Sequence, residues 1–347
     1  MWPDFSVTPF LFLTTTMVRM QNEFEQFRQI VERSTKFVIT THVNPDPDAI
    51  GSEVALARYL SRQGKIVAVL NHSATPGFCR FLDPQNVITQ FDPLQHANMI
   101  LDADAILVVD ANQPERVQSL KPYIMSSTAT KVCIDHHLDR APFADLYIVD
   151  EDSAATGEIL YNLLTALDAG NITPEIASPL YVAIMTDTGS FRFPKTDALL
   201  HRMIANLIDH GADPVQSYHQ VYEQGTANRI QLLGLVLATL RTAHDNRVAH
   251  MTVTRDMFSR TGTTEEDTDN FINYTLAIAG VQVGLMFTEL ADGIKLSFRS
   301  RGEIAINKLA QEFGGNGHKN AAGARIASGT IESALQQVLE RVPDYLI

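Results

Sequence analysis

Cysteine is scarce in this chain, whose 347 residues include only Cys79 and Cys133. Two cysteines cannot build the disulfide framework of a small secreted protein, so the sequence predicts a protein of the cytoplasm, a reducing compartment. Long apolar runs are also missing, because no stretch approaches the roughly eighteen residues that a membrane-spanning helix requires. We therefore expect no membrane partner.

Positive charge is in short supply as well. The chain has 27 Lys and Arg against 40 Asp and Glu, a net charge of −13, which argues against a protein that wraps long nucleic acid by charge alone. Segment 294–325 is an exception, with two acidic residues, Glu303 and Glu312, and six basic ones: Lys295, Arg299, Arg301, Lys308, Lys319 and Arg325. Such a local patch in an acidic protein indicates that a small anion binds there.

The length of the chain exceeds what one hydrophobic core organises comfortably and predicts two domains. Residues 1–20 are apolar and rich in threonine but lack the basic n-region and the cleavage site of a signal peptide. We interpret them as a disordered extension, or as residues upstream of a true start at Met17 or Met20. The remaining chain divides into a first domain over 21–210, a linker with a bridging helix over 211–243, and a smaller second domain over 244–347. The bridging helix would also suit a homodimer contact.

Apolar runs and helical periodicity alternate along the chain. In the first domain they predict strands at 36–41, 65–70, 100–110 and 131–135, and helices at 21–33, 49–63, 156–167 and 174–185. They predict the bridging helix at 226–243. In the second domain they predict strands at 247–254, 281–289 and 293–299, and helices at 303–313 and 331–341. Alternation of this kind favours an α/β fold with right-handed crossovers and a parallel sheet in the first domain. A cleft between two such domains is a favoured ligand site, and we expect the active site there.

The stretch from His42 to Ser52 follows the first predicted strand and precedes a helix. Its two prolines favour an extended loop, in which residues two apart project the same way about 6.6 Å from each other. Asp46 and Asp48 would then lie side by side near His42, and divalent cations would neutralise their repulsion. Asp-Pro pairs are also ordinary turn residues, and Asp48 could simply cap the helix.

Other predicted elements end in similar residues. Asp110 ends the buried strand Ala105–Asp110, and a second apolar strand ends in Asp135-His136-His137. The helix over 174–185 leads into Asp187-Thr-Gly. Because open α/β sheets bind ligands beyond the carboxyl ends of their strands, these groups point to one ligand-presenting edge.

The four motifs together resemble the DHH phosphoesterase family, whose signature is the Asp135-His136-His137 of this chain. His42-x-Asn-Pro-Asp46-x-Asp48, Asp110-Ala-Asn and Asp187-Thr-Gly are similar to its other motifs, in the family's order. The resemblance extends to about residue 345, since Phe313-Gly-Gly-Asn-Gly-His-Lys-Asn-Ala-Ala-Gly323 resembles the Gly-rich motif of the DHH-associated domain. Asn316 departs from the pattern, because many members carry a further glycine there.

The resemblance implies two divalent metal ions, commonly manganese. Six side chains match the family's ligands: His42 and Asp46 for the first ion, Asp48, His136 and Asp187 for the second, and Asp110 as the bridge. Four aspartates against two divalent ions are near charge balance. The resemblance also implies that Asp135 orients a histidine and that His137 faces the scissile phosphate. Two ions can polarise a phosphoryl oxygen and generate a bridging hydroxide for in-line attack.

The Gly-rich segment is expected to bind the substrate. The resemblance favours a backbone cradle for phosphate or a base, built from Gly314, Gly315, Gly317 and His318, with the guanidinium groups of Arg299 and Arg301 beside it. The alternative is that Gly314 and Gly315 merely end the helix at 303–313.

The branch of the family that the chain resembles comprises oligoribonucleases that also dephosphorylate 3′-phosphoadenosine 5′-phosphate (pAp). We therefore expect a manganese-dependent enzyme that degrades short RNA and linear dinucleotides such as pApA to mononucleotides and converts pAp to AMP. Two alternatives stay open at this point: a manganese-dependent inorganic pyrophosphatase, and a non-catalytic nucleotide-binding module.

Overall fold

A computed structural model describes residues 15–346, apart from the side chains of Thr15, Met17 and His318. The chain divides into two compact units, and the boundary between them in the sequence lies between Gln224 and Gly225. Residues 1–14 of the predicted disordered extension lie outside the described part, but 15–19 form a helix. Thr16 and Arg19 both donate hydrogen bonds to Asp150, which attaches this helix to the first unit.

The first unit is a parallel sheet covered by helices. Its strands are β1 Lys36–Thr40, β2 Ile66–Asn71, β3 Ile88–Gln90, β4 Ala105–Val109, β5 Thr130–Asp135 and β6 Leu146–Val149. Its helices are α1 Thr15–Arg19, α2 Gln21–Arg33, α3 Pro47–Arg62, α4 Pro93–Leu101, α5 Lys121–Ser126, α6 Thr156–Asp168, α7 Pro174–Asp187, α8 Ala198–Asp209 and α9 Pro214–Tyr222. The strand order is β3-β2-β1-β4-β5-β6, and every pairing is parallel. The predicted α/β fold with a parallel sheet is confirmed.

Both faces of this sheet are buried. Along β1, Phe37 and Ile39 pack into one core with residues of α2, α3, α6 and α7, whereas Val38 packs into the opposite core with residues of α4 and α5. Successive strand residues point to opposite faces, so a strand covered on both sides needs an unbroken apolar run. This requirement explains why β1 and β4 are recognisable in the sequence.

Close packing of α3 against α7 depends on Gly51. A Cβ at this position would lie 2.5 Å from the carbonyl oxygen of Pro179 and 3.1 Å from Cβ of Ala183. We expect Gly51→Ala to destabilise the protein by about 1–3 kcal/mol, as overpacking does in other cores. The measurement is urea unfolding of the variant beside the wild type.

Gly234→Ala is the matched control for that substitution. Gly234 lies inside a helix of the second unit, 227–238, and a Cβ there meets no described atom within 4 Å. Relief of the helical glycine penalty predicts a gain of about 0.5–1 kcal/mol. Equal effects of the two substitutions would mean that α3 and α7 do not pack as closely as described.

The second unit is built on a mixed sheet. Its strands are β7 Arg241–Ala243, β8 Val248–Val253, β9 Val283–Leu290, β10 Gly293–Ser300, β11 Asn316–His318 and β12 Ala321–Ile326, in the order β11-β12-β10-β9-β8-β7. Its helices are α10 Ala227–Ala238, α11 Arg255–Thr261, α12 Asn273–Leu276, α13 Ile306–Glu312 and α14 Ile331–Arg341. The β8–β9 pair is parallel and the other pairs are antiparallel. Helices α13 and α14 pack on one face and α10 on the other.

Several boundaries differ from the predicted ones. The helix predicted over 226–243 ends at Ala238 and is followed by β7. The strand predicted from residue 100 begins at Ala105, because Ile100 and Leu101 close α4. Within the described residues, none of the helices combines the length and the apolarity needed to cross a bilayer.

Candidate metal centre

Eight polar side chains from separate parts of the first unit lie at the carboxyl ends of its central strands. Asp135 is the last residue of β5 and Asp187 the last residue of α7. Asp110 directly follows β4, and His42 follows β1 by two residues. The remaining members are Asp46 and Asp48 at the start of α3, and His136 and His137 after β5.

The strand order explains why these residues meet. Strand β1 lies between β2 and β4, so the chain runs from β1 to β2 on one side and later returns to β4 on the other. The connections leave the sheet in opposite directions at this point, which opens a crevice at the carboxyl edge. His42 and Asp110 follow the two strands that flank that crevice.

The beginning of α3 differs from the extended loop that the sequence suggested. Asp46 is the helix cap, and its Oδ1 accepts a hydrogen bond from the backbone N–H of Ala49 at 3.1 Å. Asp48 lies inside the first helical turn after Pro47. The extended-chain argument for placing the two carboxylates side by side is therefore wrong, and the capping role considered for Asp48 belongs to Asp46.

The first group of the site consists of His42, Asp46 and Asp110, each of which offers a ligand atom within 4.8 Å of the others. Nδ1 of His42 lies 2.9 Å from the carbonyl oxygen of Val43, which can only accept, so we assign the ring proton to Nδ1. Nε2 then faces Oδ2 of Asp110 at 3.2 Å with its lone pair. Two facing lone pairs need a proton or a cation between them, and a cation fits this donor set.

The second group consists of Asp48, His136 and Asp187, whose ligand atoms lie within the same limit. Nδ1 of His136 is 3.4 Å from the carbonyl oxygen of Ser153, and its Nε2 is 3.3 Å from Asp187 and 3.9 Å from Asp48. A histidine that donates from one nitrogen to a carbonyl presents the other nitrogen to a metal, as metal-binding histidines commonly do. The donor set again fits a divalent cation.

Asp110 belongs to the first group and forms a further group with His136 and His137, whose ligand atoms lie within the same 4.8 Å. Its Oδ2 faces His42 in the first group, while its Oδ1 lies 3.7 Å from Nε2 of His136 and 3.6 Å from Nδ1 of His137. The backbone of Asp110 has φ +55°, a left-handed conformation that costs about 1–3 kcal/mol in a residue other than glycine. Strain of this kind persists where the surrounding structure fixes a side chain.

His137 is held by Asp135, whose Oδ1 accepts from Nδ1 of His137 at 2.8 Å. Burial disfavours the charged imidazole, but the hydrogen bond from His137 to Asp135 and the charge of Asp110 outweigh burial and raise the pKa of His137. The side chains of His137 and Asp187 keep 23% and 33% of their surface exposed, so the site opens to solvent.

The four aspartates of the two groups cannot all ionise easily. Burial, followed by repulsion from Asp110, raises the pKa of Asp187 to about 8. The same two causes raise the pKa values of Asp46 and Asp48. Burial alone would raise the pKa of Asp110, but a hydrogen bond from protonated His42 and the charges of the nearby histidines outweigh burial and lower this pKa to about 2. Cation binding would therefore displace protons from this site.

Polar residues around these groups went unassigned in the sequence. Asn112 donates to the carbonyl oxygens of His137 and Leu138 at 2.8 and 3.1 Å, which ties the loop after β4 to the loop after β5. Thr156, at the start of α6, donates to Asp110. Local sequence gives only a weak signal for such residues: a polar side chain next to a predicted strand end or helix start.

The Gly-rich segment of the second unit has conformations that its own fold explains. Gly314 has φ +72°, its N–H bonds Gln311, and the N–H of Gly315 bonds Ala310, the pattern that ends a helix in a left-handed residue. Gly317 allows close contact with β12. The geometry of Gly314 and Gly315 is thus that of a helix end, the alternative considered from the sequence. The side chain of His318 lies outside the described residues.

The basic patch counted in the sequence is partly neutralised. Glu265, outside the counted segment, pairs with Lys295 at 2.9 Å and Arg325 at 2.8 Å, and Glu303 pairs with Lys319 at 2.6 Å. Arg301 lies one residue beyond β10 and not on the strand, and it donates to the carbonyl oxygen of Leu276. Arg299 is on the strand, and it forms no ion pair with a described carboxylate.

Comparison with known proteins gives the family. The model of the DHH family, N-terminal domain, matches residues 36–184, and the DHHA1 domain model matches residues 245–346. The chain is 32% identical over 311 residues to the bifunctional oligoribonuclease and PAP phosphatase NrnA of Thermus thermophilus. The alignment covers 89% of each of the two chains. The chain belongs to the DHH family.

Two further relatives agree with this assignment. NrnA of Bacillus subtilis is 28% identical over 84% of this chain and 89% of its own length. The crystal structure of an exopolyphosphatase-related protein from Bacteroides fragilis superposes with a TM-score of 0.89 and 31% identity, over 93% of this chain and 97% of that one. The chain is accordingly a DHH phosphoesterase, a hydrolytic enzyme that acts on phosphate esters.

Proposed function

We propose that this phosphoesterase uses two divalent cations, with Mn²⁺ as the natural pair, to hydrolyse short oligoribonucleotides and linear dinucleotides such as pApA to mononucleotides. It also converts pAp to AMP. The observation that carries the metal part is the carboxylate of Asp110, whose two oxygens face two different groups of ligand atoms. The names of the NrnA relatives, oligoribonuclease and PAP phosphatase, support short RNA and pAp as substrates.

The ligand roles follow from the two groups. His42 and Asp46 would hold one cation, Asp48, His136 and Asp187 would hold the other, and Asp110 would serve both. When bound, the cations supply Lewis-acid stabilisation of the phosphoryl oxygens and a nucleophile at neutral pH. Carboxylate and imidazole donors suit Mn²⁺ and exclude metals that require thiolates.

The remaining chemistry belongs to side chains of the protein. Asp135 fixes the ring of His137 through Nδ1 at 2.8 Å. His137 then presents Nε2 to the scissile phosphate, where the protonated ring donates a hydrogen bond to a developing negative charge. In the second unit, Arg299 binds a terminal phosphate of the substrate, because burial has already removed part of its hydration. We also assign substrate binding to Arg301 and to the Gly-rich segment, including His318.

A product profile tests this proposal. With Mn²⁺, the purified protein is expected to release mononucleotides from pApA and from a five-nucleotide RNA, and phosphate from pAp. Excess EDTA is expected to stop all three reactions, because it removes the cations that supply the Lewis-acid stabilisation and the nucleophile. Chromatography of the products against nucleotide standards measures the result.

Three other outcomes would replace the proposal. Faster release of phosphate from pyrophosphate than of nucleotide from pApA would make the protein a pyrophosphatase. Preferential cleavage of polyphosphate would make the protein an exopolyphosphatase, as the name of the Bacteroides fragilis relative suggests for that protein. Stoichiometric binding of pApA in Mn²⁺ without turnover would indicate a non-catalytic nucleotide-binding module.

A further inference from the structure

The amino end of α6 contacts carboxylates of both ligand groups. Oγ1 of Thr156 donates to Oδ1 of Asp110 at 2.8 Å. The backbone N–H groups of Thr156 and Gly157 donate to the two oxygens of Asp48 at 2.8 and 2.9 Å. One helix end thus bonds the shared carboxylate through a side chain and a carboxylate of the second group through its backbone.

Packing fixes this helix end in place. Thr156 and Gly157 are buried, and a Cβ added to Gly157 would lie 2.7 Å from Cβ of Ala183 in α7 and 3.3 Å from Oδ1 of Asp48. Neither solvent nor a flexible loop separates α6 from the carboxylates. The hydroxyl of Thr156 therefore has a defined position, set by the contact between α6 and α7.

The hydroxyl bond constrains how Asp110 can turn. A carboxylate oxygen has two lone pairs, and the Thr156 hydroxyl takes one of those on Oδ1. The other lone pair of Oδ1 stays directed toward His136 and His137, while Oδ2 stays directed toward His42. Without the hydroxyl, the carboxylate could rotate about its Cβ–Cγ bond and place both oxygens near one group.

We propose that Thr156 is a positioning residue, which holds the Asp110 carboxylate in the plane where one oxygen serves each of two cations. The inference rests on the proposed function for the existence of the cations, and adds a residue that touches neither cation nor substrate. Backbone bonds from α6 to Asp48 would persist in any side-chain variant, so the effect of a substitution reports on Asp110 alone.

The test compares Thr156→Val with Thr156→Ser. Valine keeps the shape and removes the hydroxyl, whereas serine keeps the hydroxyl. Titration calorimetry with Mn²⁺ is expected to show binding of at least one cation weakened about 10- to 100-fold in Thr156→Val, the usual effect of losing a partner of a metal ligand. Thr156→Ser is expected to bind within about threefold of the wild type. Thr165→Val, about 13 Å further along the same helix, is the matched control.

Electron paramagnetic resonance provides a readout that a purely structural role would not change. At saturating Mn²⁺ the wild type and Thr156→Ser are expected to show a spin-coupled pair, and Thr156→Val a larger fraction of isolated Mn²⁺. Unfolding of the metal-free variants in urea checks that they fold, and Thr156→Ala replaces Thr156→Val if valine does not fit.

Wild-type affinity and a wild-type coupled signal in Thr156→Val would overturn the inference. A wild-type protein that binds no Mn²⁺ would overturn both the inference and the metal part of the proposed function. A wild-type protein that binds two Mn²⁺ but leaves nucleotides intact would remove the proposed substrates only, and the role of Thr156 would stand if its variants behave as expected.

Discussion

Replacing Asp110 with asparagine is expected to lower the rate of phosphoester hydrolysis about a thousandfold or more. Its carboxylate lies with His42 and Asp46 and also with His136 and His137. In the proposed assignment, the substitution therefore removes a charged ligand from both cations at once. Asparagine has nearly the same size, but its amide nitrogen would point a donor at one of the groups. Loss of a single preorganised interaction already costs about a hundred- to a thousandfold in other enzymes.

The measurement is kcat on pApA at saturating Mn²⁺, with Asp102→Asn as the control. Asp102 lies before β4, at the opposite end of the strand from Asp110, and is exposed. The control should retain the wild-type rate, because its carboxylate is remote from the site. A rate in Asp110→Asn within tenfold of the wild type would show that the carboxylate is not shared between catalytic cations.

Stability of the metal-free protein is expected to fall as the pH rises from about 5 to about 8. Asp187 has a pKa of about 8 when folded, above the value of an unfolded aspartate, so the folded state binds more protons across this range. The raised pKa values of Asp46, Asp48 and His42 act in the same direction. Asp110 has titrated below this range, and His136, whose pKa is lowered, opposes the trend in part.

Mn²⁺ is expected to restore the stability that the metal-free protein loses as the pH rises. A cation at a hundred times its dissociation constant stabilises a protein by about 2.7 kcal/mol, which corresponds to roughly 5–10 °C in Tm for a unit of this size. The increase should be larger at about pH 8 than at about pH 5, because protons compete with the cation for the aspartates. Thermal unfolding with EDTA and with Mn²⁺ at both pH values measures it.

Two substitutions, Asp187→Asn and Glu53→Gln, distinguish the contribution of the metal centre to the pH dependence of stability from that of other buried acids. Glu53 is buried beside Asn71, and burial raises its pKa to about 8 as well. Asp187→Asn should flatten the pH dependence and also reduce the Mn²⁺ effect, whereas Glu53→Gln should change only the pH dependence. A Mn²⁺ effect of equal size in Asp187→Asn and wild type would contradict the assignment of Asp187 to the second group.

The sequence was most informative where a strand is buried on both faces. The apolar runs of β1, β4 and β5 are continuous because both sides are covered, and the polar residues that follow them therefore stand out. A parallel sheet brings such strand ends to one edge, so the meeting of His42, Asp110 and Asp135 could be predicted without knowledge of the loops.

Features set by tertiary contacts were harder to predict. Thr156 reaches Asp110 because α6 packs on α7, and no local pattern encodes that contact. The basic patch was overestimated because its neutralising partner, Glu265, is remote in sequence from Lys295 and Arg325. An extended loop would place Asp48 beside Asp46, yet the helix already begins at Pro47.

Crystals grown with Mn²⁺ and measured at the manganese absorption edge test the paired-cation site most directly. Two anomalous peaks are expected, one among His42, Asp46 and Asp110 and the other among Asp48, His136 and Asp187, with Asp110 contacting both. A single peak, or peaks away from Asp110, would contradict the assignment of this carboxylate as the shared ligand.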